Sequence, residues 1–424
     1  MHRRTTARLA AGGFASAVAA ALLTSPAAAA PSAGGAQTFA AERLATISYR
    51  AAEHPYLVGT LAQVSALHGS RSPQARAVAS ALAANRHSLA GLLTGTLGRQ
   101  SVLEVAMTKR DQAELAYATA TVERYGKGTT VQHTKAANDQ SKAMLSLLKK
   151  SEAGLAQYAV DQYPGIDRGQ LSQVLAQVDA GDLTTLEAIA QTSKYVFTDA
   201  LVGSTASANL FALFGVAEIE RQRVAGDPLA PASVYRAALT VAFVQHVYQT
   251  GLTGTSGLLT SVTSTDTKAA LEAEDKNTVL IAGLLGGPVG KSNQVLGDWR
   301  LHIGSGYVPI LKYLDGGAVS NRQYGERALT SYINKITGDV HSLAPGLPSS
   351  TVKAEYSEHS FGTEQVFKDL ASSSSSKQAA GYELASTGAA HFADLASQIA
   401  VAADQSGNLA ALTTEGSAGR LVTG

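Results

Sequence analysis

The chain repeats itself, and this internal repeat restricts its fold more than any other feature. At a constant offset of 192 residues and without gaps, the segment around His54 aligns with the segment around His246. The matched pairs are His54 and His246, Tyr56 and Tyr248, Gly59 and Gly251, Asn85 and Asn277, and the tetrapeptides 90–93 and 282–285. Self-similarity at a fixed offset is typical of a duplicated structural unit, so both copies should use the same succession of elements.

Helical periodicity runs through nearly the whole mature chain, whereas alternating β-branched runs are few. Glycine, proline and serine clusters separate the periodic segments. The pattern predicts an all-α fold made of two tandem up-down helical bundles of the four-helix type. In the second copy the helical segments are predicted at about 233–260, 266–315 with a turn at 286–288, 319–371 with an interruption at 345–348, and 377–404.

The domain boundaries follow from the Gly226 to Pro231 segment, whose two prolines should end one helix before the next begins. We predict an N-terminal bundle at 37–225 as the more diverged copy and a C-terminal bundle at 232–404. The Gly/Ser/Thr-rich segment 405–424 is predicted to be a disordered tail.

The N-terminus has the pattern of a signal peptide over residues 1–30. Arg3, Arg4 and Arg8 precede an apolar stretch that ends near Leu23, and an alanine run at 27–30 follows. The arginine pair lacks the following hydrophobic residue of a twin-arginine signal, which favours general secretion. The expected location is therefore secreted or extracellular, including association with the cell wall.

Composition excludes several classes of function. Lys+Arg 34 against Asp+Glu 33 leaves no basic excess for phosphate backbones, so nucleic acid is not an expected partner. With Cys 0 there is no thiolate, and any metal must be bound by histidine and carboxylate. The uncharged stretch 200–217 carries several polar side chains, so we predict a buried helix there and no stable membrane span after removal of the signal.

Familiar catalytic motifs are missing from the sequence. The segment Gly286 to Ser292 resembles the end of a phosphate-binding loop, but Leu285 occupies the place of its first glycine and no strand precedes it. Neither a Gly-x-Ser-x-Gly elbow nor a His-Glu-x-x-His helix occurs. The sequence therefore does not favour an enzyme, and no catalytic residue is predicted.

Four histidines of the second copy form the main candidate for a site. His246, His302, His359 and His391 fall one in each of the four helical segments, which is the distribution that a metal site in a bundle core requires. The last three are in phase with apolar neighbours and should point inward. Carboxylates at Glu274, Asp275, Glu358 and Glu364 are near enough in sequence to orient imidazoles or complete the coordination. Imidazole with carboxylate suits copper or zinc.

Two alternatives remain open at this stage. The histidines could form a buried polar network that specifies helix register in a purely structural or interaction protein of the cell envelope. A metalloenzyme of the carboxylate and histidine bundle type is the third reading, but it normally carries Glu-x-x-His pairs that are absent from the expected places. The first copy keeps only His54 of the set, and the single tryptophan, Trp299, is expected in the core.

Several segments resemble the signature of a poorly characterised family of exported bacterial helical proteins. The segments are Gln245-His246, Asp275-Lys276-Asn277-Thr278, Leu296 to Ile303 with its Trp-Arg-x-His-Ile core, Ala344 to Pro348, and His391. The resemblance covers most of 233–404 and, more weakly, 43–200. It implies a helical fold and export, and it implies no established activity. The expected function is that of a secreted or cell-surface binding protein with a cell-wall, protein or metal partner.

The signal peptide gives the first testable prediction, that the mature protein begins close to Ala30. A charged start, a short apolar core and an alanine-rich exit are what signal peptidase recognises. Intact-mass measurement on protein from the culture medium should give the mass of a chain that lacks about the first 30 residues. A secreted form that retains Met1 would contradict the prediction.

Overall fold

The computed structural model describes residues 35–94, 100–125, 157 and 200–413, and the described part of the chain contains helices and no strand. The predicted signal peptide lies outside these residues. The helices of the first half are α1 Phe39–His68, α2 Pro73–Thr94, α3 Gln100–Tyr125 and α4 Ala200–Gln222. Those of the second half are α5 Pro231–Leu259, α6 Thr265–Gly286, α7 Ser292–Arg300, a π-helical segment Leu301–Tyr307, α8 Val308–Leu314, α9 Val319–Leu343, α10 Ser349–Leu370 and α11 Ser375–Gln405. The all-α class predicted from the sequence is confirmed.

Proline and glycine set the helix boundaries of the second half. The segment Gly287–Val289 forms a short 3-10 turn, and Gly290 follows it at φ 70°, a left-handed conformation that favours glycine. Helix α9 ends before Pro345, and α10 begins directly after Pro348. These breaks lie where the sequence places them.

The two halves pack against each other along α1 and α5. Tyr56 and Tyr248, which the 192-residue offset pairs, stack with ring centroids 5.1 Å apart and planes 9° apart. One hydrophobic cluster includes Leu57 and Val64 from the first half together with Phe243 and Leu395 from the second. The sequence boundary between the copies therefore does not coincide with a break in the core. The tandem arrangement of two bundles stays a prediction.

A buried carboxylate also connects the halves. Glu53 on α1 accepts hydrogen bonds from the hydroxyl of Tyr248 on α5 at 2.8 Å and from Ser386 on α11 at 3.3 Å. Within its own half it pairs with Arg50 and accepts from Asn85. Because a buried carboxylate is stable only when its oxygens are paired, these contacts fix the position of α1 relative to α5 and α11.

The π-helical segment carries His302 and has a local cause. Pro309 has no N–H, so the α-helical bond to the carbonyl of Ser305 cannot form. Instead the N–H of Val308 bonds to the carbonyl of Ile303, five residues back. The wider turn brings His302 and Tyr307 onto one side of the helix, where their rings pack edge to face with centroids 5.3 Å apart. Such π bulges are frequent at functional sites.

Two glycines let α9 approach the π-helical segment closely. A methyl group built at Gly325 would lie 2.5 Å from the carbonyl oxygen of Gly306 and 2.7 Å from Ile310. One built at Gly306 would lie 2.5 Å from Leu329. The close crossing places Tyr332 of α9 against His302.

The segment after α11 differs in part from the predicted tail. Leu409 and Leu412 are 2% and 8% exposed and belong to the main core cluster, so the chain is packed as far as the 3-10 turn Ala410–Thr413. The two leucines are three positions apart, so their apolar side chains lie on the same face of the helical turn and pack on the core. The remainder of the predicted tail lies outside the described residues. Among the described helices, none is both long and apolar enough to cross a membrane.

The close crossing predicts that Gly325→Ala destabilises the protein. The added methyl group must displace either the Gly306 carbonyl or Ile310, and over-packing of this kind costs about 1–3 kcal/mol of unfolding free energy. Urea unfolding followed by circular dichroism measures the change.

Gly338→Ala on the same helix is the matched control, because an added methyl group there meets no atom within 4 Å. Replacing a helical glycine by alanine in open space should stabilise by about 0.5–1 kcal/mol. Equal effects of the two substitutions would contradict the close crossing.

Candidate metal centre

Three of the four predicted histidines meet in the core. His246 comes from α5, His302 from the π-helical segment and His359 from α10, and their side chains are 0%, 0% and 7% exposed. One ring nitrogen of each lies within 4.8 Å of the others. In the described part of the chain this is the one group of three or more histidine or carboxylate side chains that is close enough to bind a metal ion together. We call it the histidine triad.

Each imidazole of the triad is positioned by an aromatic ring. His302 stacks on Tyr332 of α9 with ring centroids 4.2 Å apart. His359 stacks on Phe392 of α11 at 4.1 Å with planes 6° apart. Trp299 on α7 packs on His246 in a T-shaped arrangement with ring centroids 5.1 Å apart. These contacts leave the rings little rotational freedom, so the nitrogen positions are set by the packing of the core.

A backbone hydrogen bond fixes the tautomer of His302. Its Nδ1 donates to the carbonyl oxygen of Trp299, and since a carbonyl only accepts, this nitrogen carries the proton. In the neutral ring Nε2 therefore has a free lone pair. In metal sites the ring nitrogen that does not bind the metal usually donates its N–H to a carbonyl or carboxylate, as Nδ1 of His302 does here.

The free nitrogen of His302 faces a second imidazole nitrogen. His302 Nε2 and His246 Nε2 are 3.2 Å apart. Two lone pairs at this distance repel, so either a proton or a cation must lie between them. Two imidazoles bound tetrahedrally to one ion with bonds of about 2.0–2.1 Å have their nitrogens about 3.3 Å apart, so the spacing suits a shared metal ion.

Burial keeps the triad uncharged. It lowers the pKa of His246 and His302 well below the ordinary value of 6.5, and it lowers the pKa of His359 to about 3. Neighbouring imidazoles act in the same direction, because one charged ring disfavours the next. The three side chains are therefore neutral at physiological pH, as metal coordination requires.

One buried carboxylate accompanies the triad. Glu274 on α6 lies with Oε1 4.0 Å from His246 Nδ1 and accepts hydrogen bonds from Thr250 at 2.5 Å and Thr253 at 2.8 Å. Burial raises its pKa to about 7, against the lowering effect of the two hydroxyl groups. Its position suits it to accept a hydrogen bond from the Nδ1–H of His246 when Nε2 of that ring binds an ion.

His391 is a correction to the four-histidine expectation. Its side chain is 34% exposed and pairs with Glu355. Its Nε2 also lies 3.7 Å from a carboxylate oxygen of Glu358. The neighbouring Phe392 points inward instead and stacks on His359, since only one of two consecutive helical positions can face the core. The structure therefore brings together His246, His302 and His359 and leaves His391 at the surface.

The other predicted carboxylates also lie away from the triad. Asp275 pairs with Arg300 at 2.7 Å, and both side chains are about half exposed. Glu364 is buried and pairs with Lys368. Sequence reasoning did not single out Tyr332 and Phe392, the rings that hold two of the histidines. Aromatic residues at helical spacing carry the same signal whether they line a site or fill a core.

The first half of the chain has a charged network around His54, the residue that the 192-residue offset pairs with His246. Nδ1 of His54 lies 2.9 Å from Oδ1 of Asn85, and Nε2 of His54 lies 2.8 Å from Oδ1 of Asp111. The amide nitrogen of Asn85 already donates to Glu53, so its oxygen must accept from His54. His54 thus donates from both nitrogens and is an imidazolium. Although burial raises it, the pKa of Asp111 is held below its usual value by His54 and Arg86.

This network has no lone pair for a metal ion. The 192-residue offset places Asp111 one residue from the equivalent of His302, so a carboxylate has taken the place of an imidazole. The pairing of His54 with Asp111 was not foreseen from the sequence, because the offset placed lysine and arginine nearest to the equivalent of His302.

Comparisons with known proteins give no match to a family model, to a curated sequence or to a solved structure. The proposed function therefore depends on the geometry of the triad.

The lowered pKa of His359 predicts a pH dependence of stability. Below pH 6.5 the unfolded chain binds a proton on this imidazole and the folded protein does not, so unfolding becomes more favourable as the pH falls towards about 3. Between about pH 8 and about pH 5 this amounts to about 2 kcal/mol. Urea unfolding of metal-free His359→Gln should show a pH dependence weaker by that amount.

The exposed His341 provides the matched control, since His341→Gln should leave the pH dependence of the wild type unchanged. Glu274 has the opposite effect on the pH dependence, because a raised carboxyl pKa stabilises the folded state as the pH falls from about 7 to 4.5. Glu274 is present in the wild type and in both variants, so its contribution cancels in the comparison. Identical pH dependence in wild type and His359→Gln would contradict the neutral triad.

Proposed function

We propose that this protein is an exported, helical metal-binding protein that holds one late first-row transition-metal ion, copper or zinc, at His246, His302 and His359. The observation that carries the proposal is the convergence of three buried, neutral imidazoles with ligand atoms within 4.8 Å of one another. Neutral imidazole nitrogen is a good ligand for both metals. No reaction is proposed for the site.

Unpaired polar atoms support binding over a purely structural role. His246 Nδ1 and His359 Nε2 are buried without a hydrogen-bond partner. A buried polar network that serves stability alone should satisfy its members, because an unpaired buried group costs about 1–3 kcal/mol. A metal ion would bind one nitrogen of His359, and its bond to Nε2 of His246 would leave the proton of that ring on Nδ1, directed towards Glu274.

The structural alternative has two observations in its favour. His246 and His302 can hydrogen bond directly across 3.2 Å, and all three rings fit closely against aromatic neighbours. In that case the histidines specify helix register in a structural or interaction protein of the cell envelope. A metal titration separates the two functions, because the structural protein gains nothing from the ion.

Calorimetric titration of the metal-free mature protein with copper and with zinc tests the proposal. We expect one ion per chain, with loss of binding in His302→Ala and in His359→Ala. An ion at about 100 times its dissociation constant should also raise the unfolding free energy by about 2.7 kcal/mol, because the unfolded chain lacks the assembled site.

His391→Ala and His341→Ala are the controls, since both histidines are outside the triad. Each should bind metal as the wild type does. Metal affinity that survives in the His302→Ala, His359→Ala double variant would exclude the triad as the binding site and leave the structural function.

A further inference from the structure

The donor set of the triad contains no anion. Among the described residues, the ligand atoms that lie within 4.8 Å of one another come from His246, His302 and His359 alone. All three imidazoles are neutral ligands, and no carboxylate oxygen joins them. We propose, on the basis of the metal-binding function proposed above, that the resident ion is monovalent copper, Cu(I).

The surroundings of the triad oppose a high charge. Aromatic rings contact each imidazole, and His246 and His302 are fully buried. The cost of moving an ion from water into such surroundings grows with the square of its charge, so a divalent ion costs about four times as much as a monovalent ion of the same size. A buried site without anionic ligands therefore binds a divalent ion at a greater desolvation cost than a monovalent ion.

One carboxylate is available to balance the ion. Glu274 is fully buried, lies 4.0 Å from His246 Nδ1 and is held by two threonine hydroxyls. Asp275 and Glu364 are paired with cations of their own. A cation at the triad favours the ionised form of Glu274, whose one negative charge then neutralises Cu(I), whereas Zn(II) would leave a net positive charge in the core.

The number of ligands agrees with the charge. Cu(I) has a filled d shell and is stable with two or three ligands. Zinc almost always takes four, and with three protein ligands it requires a water molecule in the fourth position. The Nε2 atoms of His302 and His246 lie 3.2 Å apart, and a ring nitrogen of His359 is the third ligand. The triad thus completes the coordination of Cu(I) by itself.

Competition titrations on the full mature protein test this assignment. Cu(I), kept reduced with ascorbate under nitrogen, is competed against the chromophoric chelator bicinchoninate, and Zn(II) is competed against a zinc indicator dye. We expect one Cu(I) per chain and Zn(II) binding that is weaker by at least about 100-fold. Zinc binding that is equal or tighter would overturn the assignment while preserving metal binding by the triad.

Failure of the underlying function gives a different result. If neither metal binds, or if the His302→Ala, His359→Ala double variant binds Cu(I) as the wild type does, the triad is not the metal site.

A charge-neutral variant tests the balancing role of Glu274. Glu274→Gln should weaken Cu(I) binding by about 10-fold with the stoichiometry unchanged, while Asp275→Asn, which removes the adjacent exposed carboxylate, should not weaken it. Equal affinities for the two variants would contradict the charge-balance argument.

Discussion

The organisation of the core depends on the contact between two imidazole nitrogens that cannot both present lone pairs. His302 Nε2 and His246 Nε2 stand 3.2 Å apart, and the bond from His302 Nδ1 to the Trp299 carbonyl decides which nitrogen of His302 is free. A proton or a cation must lie between the rings. In the first case His246 keeps an unpaired nitrogen in the core, and in the second that nitrogen gains a proton directed towards Glu274. The geometry is therefore more complete with a cation than without one.

The fold supplies this contact from elements that are far apart in sequence. Pro309 forces the π-helical turn that carries His302, and the glycines at 306 and 325 let α9 bring Tyr332 onto it. Helix α11 delivers Phe392 to His359, and the same helix contacts Glu53 of the first half through Ser386. The triad thus belongs to the second half of the chain, and one of the helices packed on it, α11, also contacts the first half. The corresponding place in the first copy is occupied by the ion pair of His54 and Asp111, which satisfies its charges internally.

Much of the fold and part of the site can be predicted from the sequence. Periodicity and proline placement give the helices of the second copy, and the distribution of histidines over four helices points to the site. His391 shows the limit of that reasoning. It is in phase with Leu395 and Ile399, but so is its neighbour Phe392 within the tolerance of a helical pattern, and only packing decides which side chain turns inward. The π-helical turn likewise depends on how one missing N–H at Pro309 is accommodated, and the pairing of His54 with Asp111 depends on a contact between α1 and α3 that no local pattern encodes.

Anomalous X-ray diffraction from crystals of the metal-loaded protein tests whether the triad binds the ion, because it locates the ion itself. We expect one peak in the core about 2.0–2.1 Å from His246 Nε2 and His302 Nε2, with His359 as the third ligand. A peak at His391 or elsewhere on the surface, with His246 and His302 still in direct hydrogen-bond contact, would contradict it.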